Sequence, residues 1–227
     1  MAPSPSPTRT KPVEIRVGKI AKGDFAHPTL AAVSAIHAID YHASMTAATK
    51  TRMSVNEYLA WARAHPGRYE LSNGEVIAMS PEGAGHAAVK YAVQTALLKG
   101  IRARRLPCHM LPDGMTVRID ETTAYEPDAL VYCGAKLAPS AVEVPAPVVV
   151  VEVLSPSTRR IDASAKLAGY FRLASVAHYL IVDPDKPLVV HHARGSGETI
   201  LTRVVTQGAI ELEPPGLSVA LADFYAS

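Results

Sequence analysis

The stretch "PVVVVEVLSPSTRR", residues 147–160, runs four valines into a glutamate and turns apolar again before a polar segment. A continuous apolar run of this length reads as a strand buried on both faces. Glu152 interrupts it. An unpaired carboxylate in such a place costs several kcal/mol, roughly, so the sequence must supply a metal, a cation or a proton from elsewhere.

The flanking segments set the architecture. After the run, "STRRIDASAKLAGYFRLA" reads as a helix capped by Ser157 or Thr158, followed by three strands, "HYLIVDP", "PLVVHHA" and "TILTRVV". Before it lie two more strands, "GMTVRI" and "EPDALVYC". Upstream, Val89, Val93, Leu97 and Ile101 recur at helical spacing in the longest helix of the chain. "RYELSNGEVIAM" reads as a hairpin around an Asn73-Gly74 turn. Ser54 with Glu57 three residues on is a capping box for a helix that stops before Pro66. The order predicts one mixed sheet flanked by helices, an α/β or α+β domain, with α/β preferred.

Composition agrees with a globular chain. Of the 227 residues 48% are hydrophobic and 19% charged, enough for one full core. A net charge of +2 is too mild to mark a nucleic-acid binder and does not exclude one. Residues 1–44 differ: their Pro/Ser-rich, basic start cannot bury a core, and Met45 looks like an ordinary protein start. They are expected to be a weakly ordered tail, or to precede the true start, with residues 45–227 forming a single domain. No apolar run nears the roughly 20 residues of a membrane helix, and no convincing signal peptide is present, so no membrane partner and a cytoplasmic location are expected. Cys108 and Cys133 form neither a CxxC pair nor a zinc spacing, and both are read as free thiols in a reducing compartment.

Strand alternation then gathers the carboxylates. Glu126, Asp128, Leu130 and Tyr132 share one face of their strand; Val148, Val150, Glu152 and Leu154 share one face of theirs. Pairing of the two strands brings Asp128 to Glu152. Two carboxylates in an apolar sheet repel, and a hard dication such as Mg²⁺ or Mn²⁺, keeping some waters, removes that cost. On the next helix Asp162, Lys166 and Tyr170 form one stripe, while Leu167, Phe171 and Ala174 form an apolar stripe expected to dock it. Lys166 can then reach Glu152 and orient a water or stabilise charge on an attacked phosphate.

These residues resemble the Uma-type family of restriction-endonuclease-like proteins, within the PD-(D/E)XK nuclease-like superfamily. The resemblance rests on "EPDALVY", "VVVVEVLSPSTRRIDASAKLAGYFRLASVAHYLIVDP" and the earlier "RYELSNGEVIAMSPEGAGH", and covers roughly residues 54–225. It implies a restriction-endonuclease-like core and a phosphodiesterase acting on DNA with Mg²⁺ or Mn²⁺. Pro127-Asp128 matches the PD element and Glu152 the acidic position. Val153 is the X, whose backbone carbonyl often joins the metal shell in this superfamily. Leu154 stands where the motif has lysine, and the resemblance implies Lys166 as the substitute. It also raises Glu70, as a further acid lining the site, and His86, as a phosphate contact or a cap of the long helix. DNA is the expected partner, with a homodimer as an option.

Blander readings stay open at this point. Glu152 can pair with an arginine, Asp128 can simply begin a strand, and Lys166 can pair with Asp162 on a solvated face. Lys99, Arg102, Arg104 and Arg105 can track a phosphate backbone or form a solvated helix end. His191 and His192 read as strand residues with no metal spacing. The leucine at 154 also keeps open a module that retained the fold and lost catalysis, and beyond it a protein-interaction domain.

Overall fold

In a computed structural model the described residues are 52–155 and 163–226. The tail expected at residues 1–44, Asp162 and the proposed caps Ser157 and Thr158 lie outside them.

The elements in chain order are α1 (Val55–Ala64), β1 (Tyr69–Ser72), β2 (Glu75–Ala78), α2 (Ala84–Arg104), β3 (Cys108–Pro112), β4 (Val117–Asp120), β5 (Thr123–Tyr125), β6 (Ala129–Cys133), β7 (Pro147–Val153), α3 (Ala163–Arg172), β8 (His178–Asp183), β9 (Leu188–Arg194), β10 (Ile200–Val205), β11 (Ala209–Leu212), β12 (Leu217–Ala220) and a 3-10 helix (Leu221–Tyr225). Local chemistry explains several boundaries. Ser54 and Glu57 complete their reciprocal capping box at the start of α1. Asn73 and Gly74 both take positive φ, as the tight turn between β1 and β2 requires.

The valine run is β7, the fourth strand of a six-stranded sheet ordered β10-β9-β8-β7-β6-β3. It pairs parallel with β8, through α3 as the crossover, and antiparallel with β6. Both its faces are covered. Val149, Val151 and Val153 pack with Val93, Leu97 and Ile101 of α2 and with the β11–β12 hairpin. Val150 packs with Leu130, Tyr179, Tyr170 and Phe171 on the side of α3. The sheet is mixed and flanked by helices, as the pattern predicts.

The expectation of one sheet is corrected. β2, β1, β5 and β4 form a separate four-stranded sheet on which α1 packs through Val55 and Tyr58, and β11 and β12 form a two-stranded one. The reading of Cys108 and Cys133 as free thiols is corrected too. The short strand β3 pairs with β6 in a register that sets Cys108 opposite Cys133, and the two form a disulfide. The reducing compartment inferred from free thiols loses that support. Among the described residues no helix is long and apolar enough to cross a membrane.

The docking face of α3 also differs from the expected stripe. Ala174 lies past the helix end and is exposed, whereas Lys166, Gly169 and Tyr170 are buried with Phe171. Gly169 explains the close approach: a Cβ there would lie 2.8 Å from Tyr125 Cε2. That proximity seats Lys166 over the Tyr125 ring, 5.4 Å from its centroid.

His191 and His192 sit in β9 as read. His191 Nε2 lies 2.9 Å from His178 Nδ1, and both rings are buried. Burial, with the neighbouring His178 and Arg203, pushes His191 from the usual 6.5 down to about 4. The folded state therefore binds this proton less readily than the unfolded chain. The stabilising contribution is complete above the unfolded value and drains away as pH falls toward about 4. The urea midpoint of the wild type is expected to lead that of His191→Leu by less at about pH 4.5 than at about pH 7.5. A lead that grows on acidification contradicts this assignment.

Candidate active site

Glu152 is the penultimate residue of β7, on the α3 side, and only 7% exposed. Its Oε1 accepts from Lys166 Nζ at 2.8 Å and from the Tyr170 hydroxyl at 2.9 Å. Lys166 Nζ also donates to Glu70 Oε1 at 2.8 Å. Glu70 comes from β1, and its Oε1 is further fixed by the Glu126 backbone N–H at 2.9 Å. Lys166 is thus a buried bridge between carboxylates of two sheets, not a cation on a solvated face.

Asp128 stands one residue before β6. Carried one residue beyond its last pair, Ala129↔Val151, the register places it across from Glu152. Its Oδ2 accepts the Val153 backbone N–H at 2.8 Å, and its Oδ1 lies 3.8 Å from Lys90 Nζ. Its backbone carbonyl accepts from Gln94 Nε2 at 2.8 Å. His86 reaches in from the first turn of α2, with Nε2 2.9 Å from the Val153 carbonyl oxygen and 3.9 Å from Asp128 Oδ2. It does not cap α2: the cap is Gly83, with no side-chain hydrogen bond.

These groups share one cavity. Glu70, His86, Asp128, Glu152 and Val153 line a half-enclosed space of about 290 Å³, which Ile77, Met79 and Pro81 also line. Its electrostatics are unbalanced. Burial raises the carboxyls of Glu70, Asp128 and Glu152 above their ordinary values, and Lys166 only partly counters this at Glu70 and Glu152. Burial works against the charge on Lys166 as well, but Glu152 and Glu70 outweigh it and hold the amine protonated, well above the usual lysine range. The cavity therefore has more buried carboxylate than local positive charge.

A second network, which the sequence reading missed, borders the first. Lys90 is 8% exposed; its Nζ donates to Glu82 Oε2 at 2.6 Å and to Asp113 Oδ2 at 3.0 Å. Arg68 joins Glu126 at 2.7 Å, Glu82 at 2.7 Å and Asp113 at 2.9 Å. A signal for it was present. His86, Lys90 and Gln94 recur every fourth residue of α2, the same spacing that links Lys166 to Tyr170 on α3. The basic run at Lys99, Arg102, Arg104 and Arg105 does not join either network. It is exposed at the C-terminal end of α2, roughly 20–28 Å along the helix from His86 at about 1.5 Å per residue.

Leu154 does not approach the cavity as a polar group. It packs half-buried in the apolar cluster of Val150 and Tyr170. The amine beside Glu152 comes from Lys166 instead.

Oxygen donors of this kind could hold only a small, hard cation. Among the described residues, no three His, Cys, Asp or Glu side chains enclose a single point. A dication that keeps several waters needs only one or two carboxylates, and Asp128 with Glu152 supplies two that burial leaves undercompensated. Val153 offers a backbone oxygen beside them.

Comparison with known proteins follows the same core. Residues 55–222 match the model of the Uma2 family, described as "Putative restriction endonuclease". The chain is 26% identical over 176 residues to the uncharacterized protein slr1290 of Synechocystis sp., covering 77% of this chain and 92% of that one. The crystal structure of a "putative nuclease belonging to DUF820" from Anabaena variabilis superimposes with a TM-score of 0.60 at 14% identity, over 76% of this chain and 97% of that one. That likeness is one of fold.

Proposed function

The chain belongs to the Uma2 family, and from that premise and the geometry of its cavity we propose that it is a metal-dependent endonuclease hydrolysing phosphodiester bonds in DNA. The observation that carries the proposal is Lys166, buried between Glu70 and Glu152, with Asp128 across the β6–β7 pair. Carboxylates perturbed by burial beside a specific charge partner in a cavity mark a functional-site candidate, and cation-dependent phosphoryl chemistry uses such groups.

In this reading Asp128, Glu152 and the Val153 carbonyl hold Mg²⁺ or Mn²⁺. The bound ion would polarise the phosphoryl oxygen and lower the pKa of water. The remaining roles belong to the chain. Lys166 is held as an ammonium, so it does not remove a proton; it places positive charge beside the attacked phosphate and steadies the charge that develops there. Glu70 and the Tyr170 hydroxyl fix the lysine and Glu152 in that arrangement. Asp128 is fixed by the Val153 N–H, so the two carboxylates are oriented before substrate arrives.

The test is supercoiled plasmid incubated with the protein plus Mg²⁺, plus Mn²⁺, and plus chelator. Nicked or linear product is expected with either ion and absent with chelator. The second reading, a fold that kept DNA binding and lost cutting, is favoured by Leu154 in the lysine position. It predicts intact plasmid in all three conditions with a salt-sensitive gel shift.

A further inference from the structure

We propose that His86 is a positioning residue that holds the Val153 carbonyl in place as an oxygen donor of the cation site. The inference rests on the cation site proposed above and assigns one further residue to it.

The Val153 peptide plane is tied on both sides. Its N–H donates to Asp128 Oδ2 at 2.8 Å, and its carbonyl oxygen is paired with His86 Nε2 at 2.9 Å. A carbonyl oxygen only accepts, so Nε2 carries the hydrogen. Nδ1 is buried and has no hydrogen-bond partner among the described residues; Glu82 Oε2 stands 3.5 Å away. The ring is thus committed to the Val153 carbonyl.

His86 differs from its neighbours in the first turn of α2. The residues just before it, Gly83 to Gly85, are exposed, yet the His86 side chain is only 10% exposed and lines the cavity beside Asp128 and Glu152. It also stands 3.9 Å from Asp128 Oδ2, so it is close to two of the three oxygen donors at once. A backbone carbonyl has two lone pairs, and one hydrogen bond leaves capacity for a second partner. His86 therefore fixes the direction of this oxygen without using it up. Groups that orient a metal ligand in this way commonly change ion affinity by about 10–100-fold.

The experiment is Mn²⁺ binding to the full chain, read from the loss of the free-ion EPR signal. His86→Ala is expected to weaken binding by about 10–100-fold, and His86→Gln, which keeps an N–H near the ring-nitrogen position, to recover it to within about threefold of wild type. Wild-type affinity in His86→Ala, or His86→Gln as weak as His86→Ala, overturns the role of His86 alone. A wild type that binds no Mn²⁺ overturns the cation site and the inference with it. Should His86→Ala fail to fold, imidazole ¹⁵N shifts of the wild type decide. The Nε2–H tautomer is expected with and without Mg²⁺; the Nδ1–H tautomer overturns the proposal.

Discussion

Glu152→Gln is expected to lower the rate of plasmid cleavage by on the order of 1,000-fold while leaving the fold intact. A factor of that size corresponds to about 4 kcal/mol of lost transition-state stabilisation, within reach of removing one charged metal ligand. The substitution keeps the side-chain shape, so it opens no cavity in the sheet. It also removes a carboxylate that burial disfavours in its charged form, so the urea midpoint without added metal is expected not to fall. Lys166 keeps its bond to Glu70. Cleavage at the wild-type rate removes Glu152 from the chemistry. Lost cleavage with a collapsed midpoint makes it a structural residue.

Lys166→Met has the second largest expected effect, and here activity and stability fall together. The thioether side chain fills similar space but leaves Glu70 and Glu152 facing each other across a buried gap. Removing one partner of a buried ion pair costs about 3–5 kcal/mol, and here two carboxylates lose the same cation. Cleavage is expected to drop by about 100-fold or more, as for loss of a transition-state charge stabiliser. The double variant Glu70→Gln/Lys166→Met separates the two effects: it relieves the repulsion and is expected to regain most of the stability but none of the cleavage. Recovery of cleavage in the double variant contradicts the role given to the ammonium.

The arrangement of the candidate site was partly legible because strand alternation is a strict geometric rule. Once β6 and β7 are recognised, a shared face for Asp128 and Glu152 follows, and the register is consistent with it when carried one pair beyond Ala129↔Val151. Lys166 was legible because the crossover helix after a parallel strand must return over the sheet, bringing its stripe above the strand end. The run-breaking glutamate was the best single clue.

What escaped the sequence depends on contacts between distant segments. β3 contains Pro112 and runs along the sheet edge, where a proline is tolerated, so it carries no strand pattern strong enough to announce the Cys108–Cys133 pairing. β5 is three residues long, and β11 and β12 flank Pro214-Pro215, a sequence that reads as loop. The separate sheet of β1 arises because β5 pairs with it through a single register contact, Leu71↔Ala124. The network of Arg68, Lys90, Glu82 and Asp113 was missed for a different reason. Lys90 lies beside the apolar positions of α2, and a lysine there is ordinarily assigned to solvent. Only the recurrence of His86, Lys90 and Gln94 hinted that this helix presents a polar stripe to the site.

The central claim is that Asp128 and Glu152 hold a divalent cation at the end of β7. Anomalous X-ray diffraction from a crystal of this protein soaked in Mn²⁺ tests it most directly. A single strong manganese peak is predicted between the Asp128 and Glu152 carboxylates, against the Val153 carbonyl and within the cavity that Glu70 and His86 border. A peak held by other residues, or none while Lys166 still bridges Glu70 and Glu152, would contradict the claim.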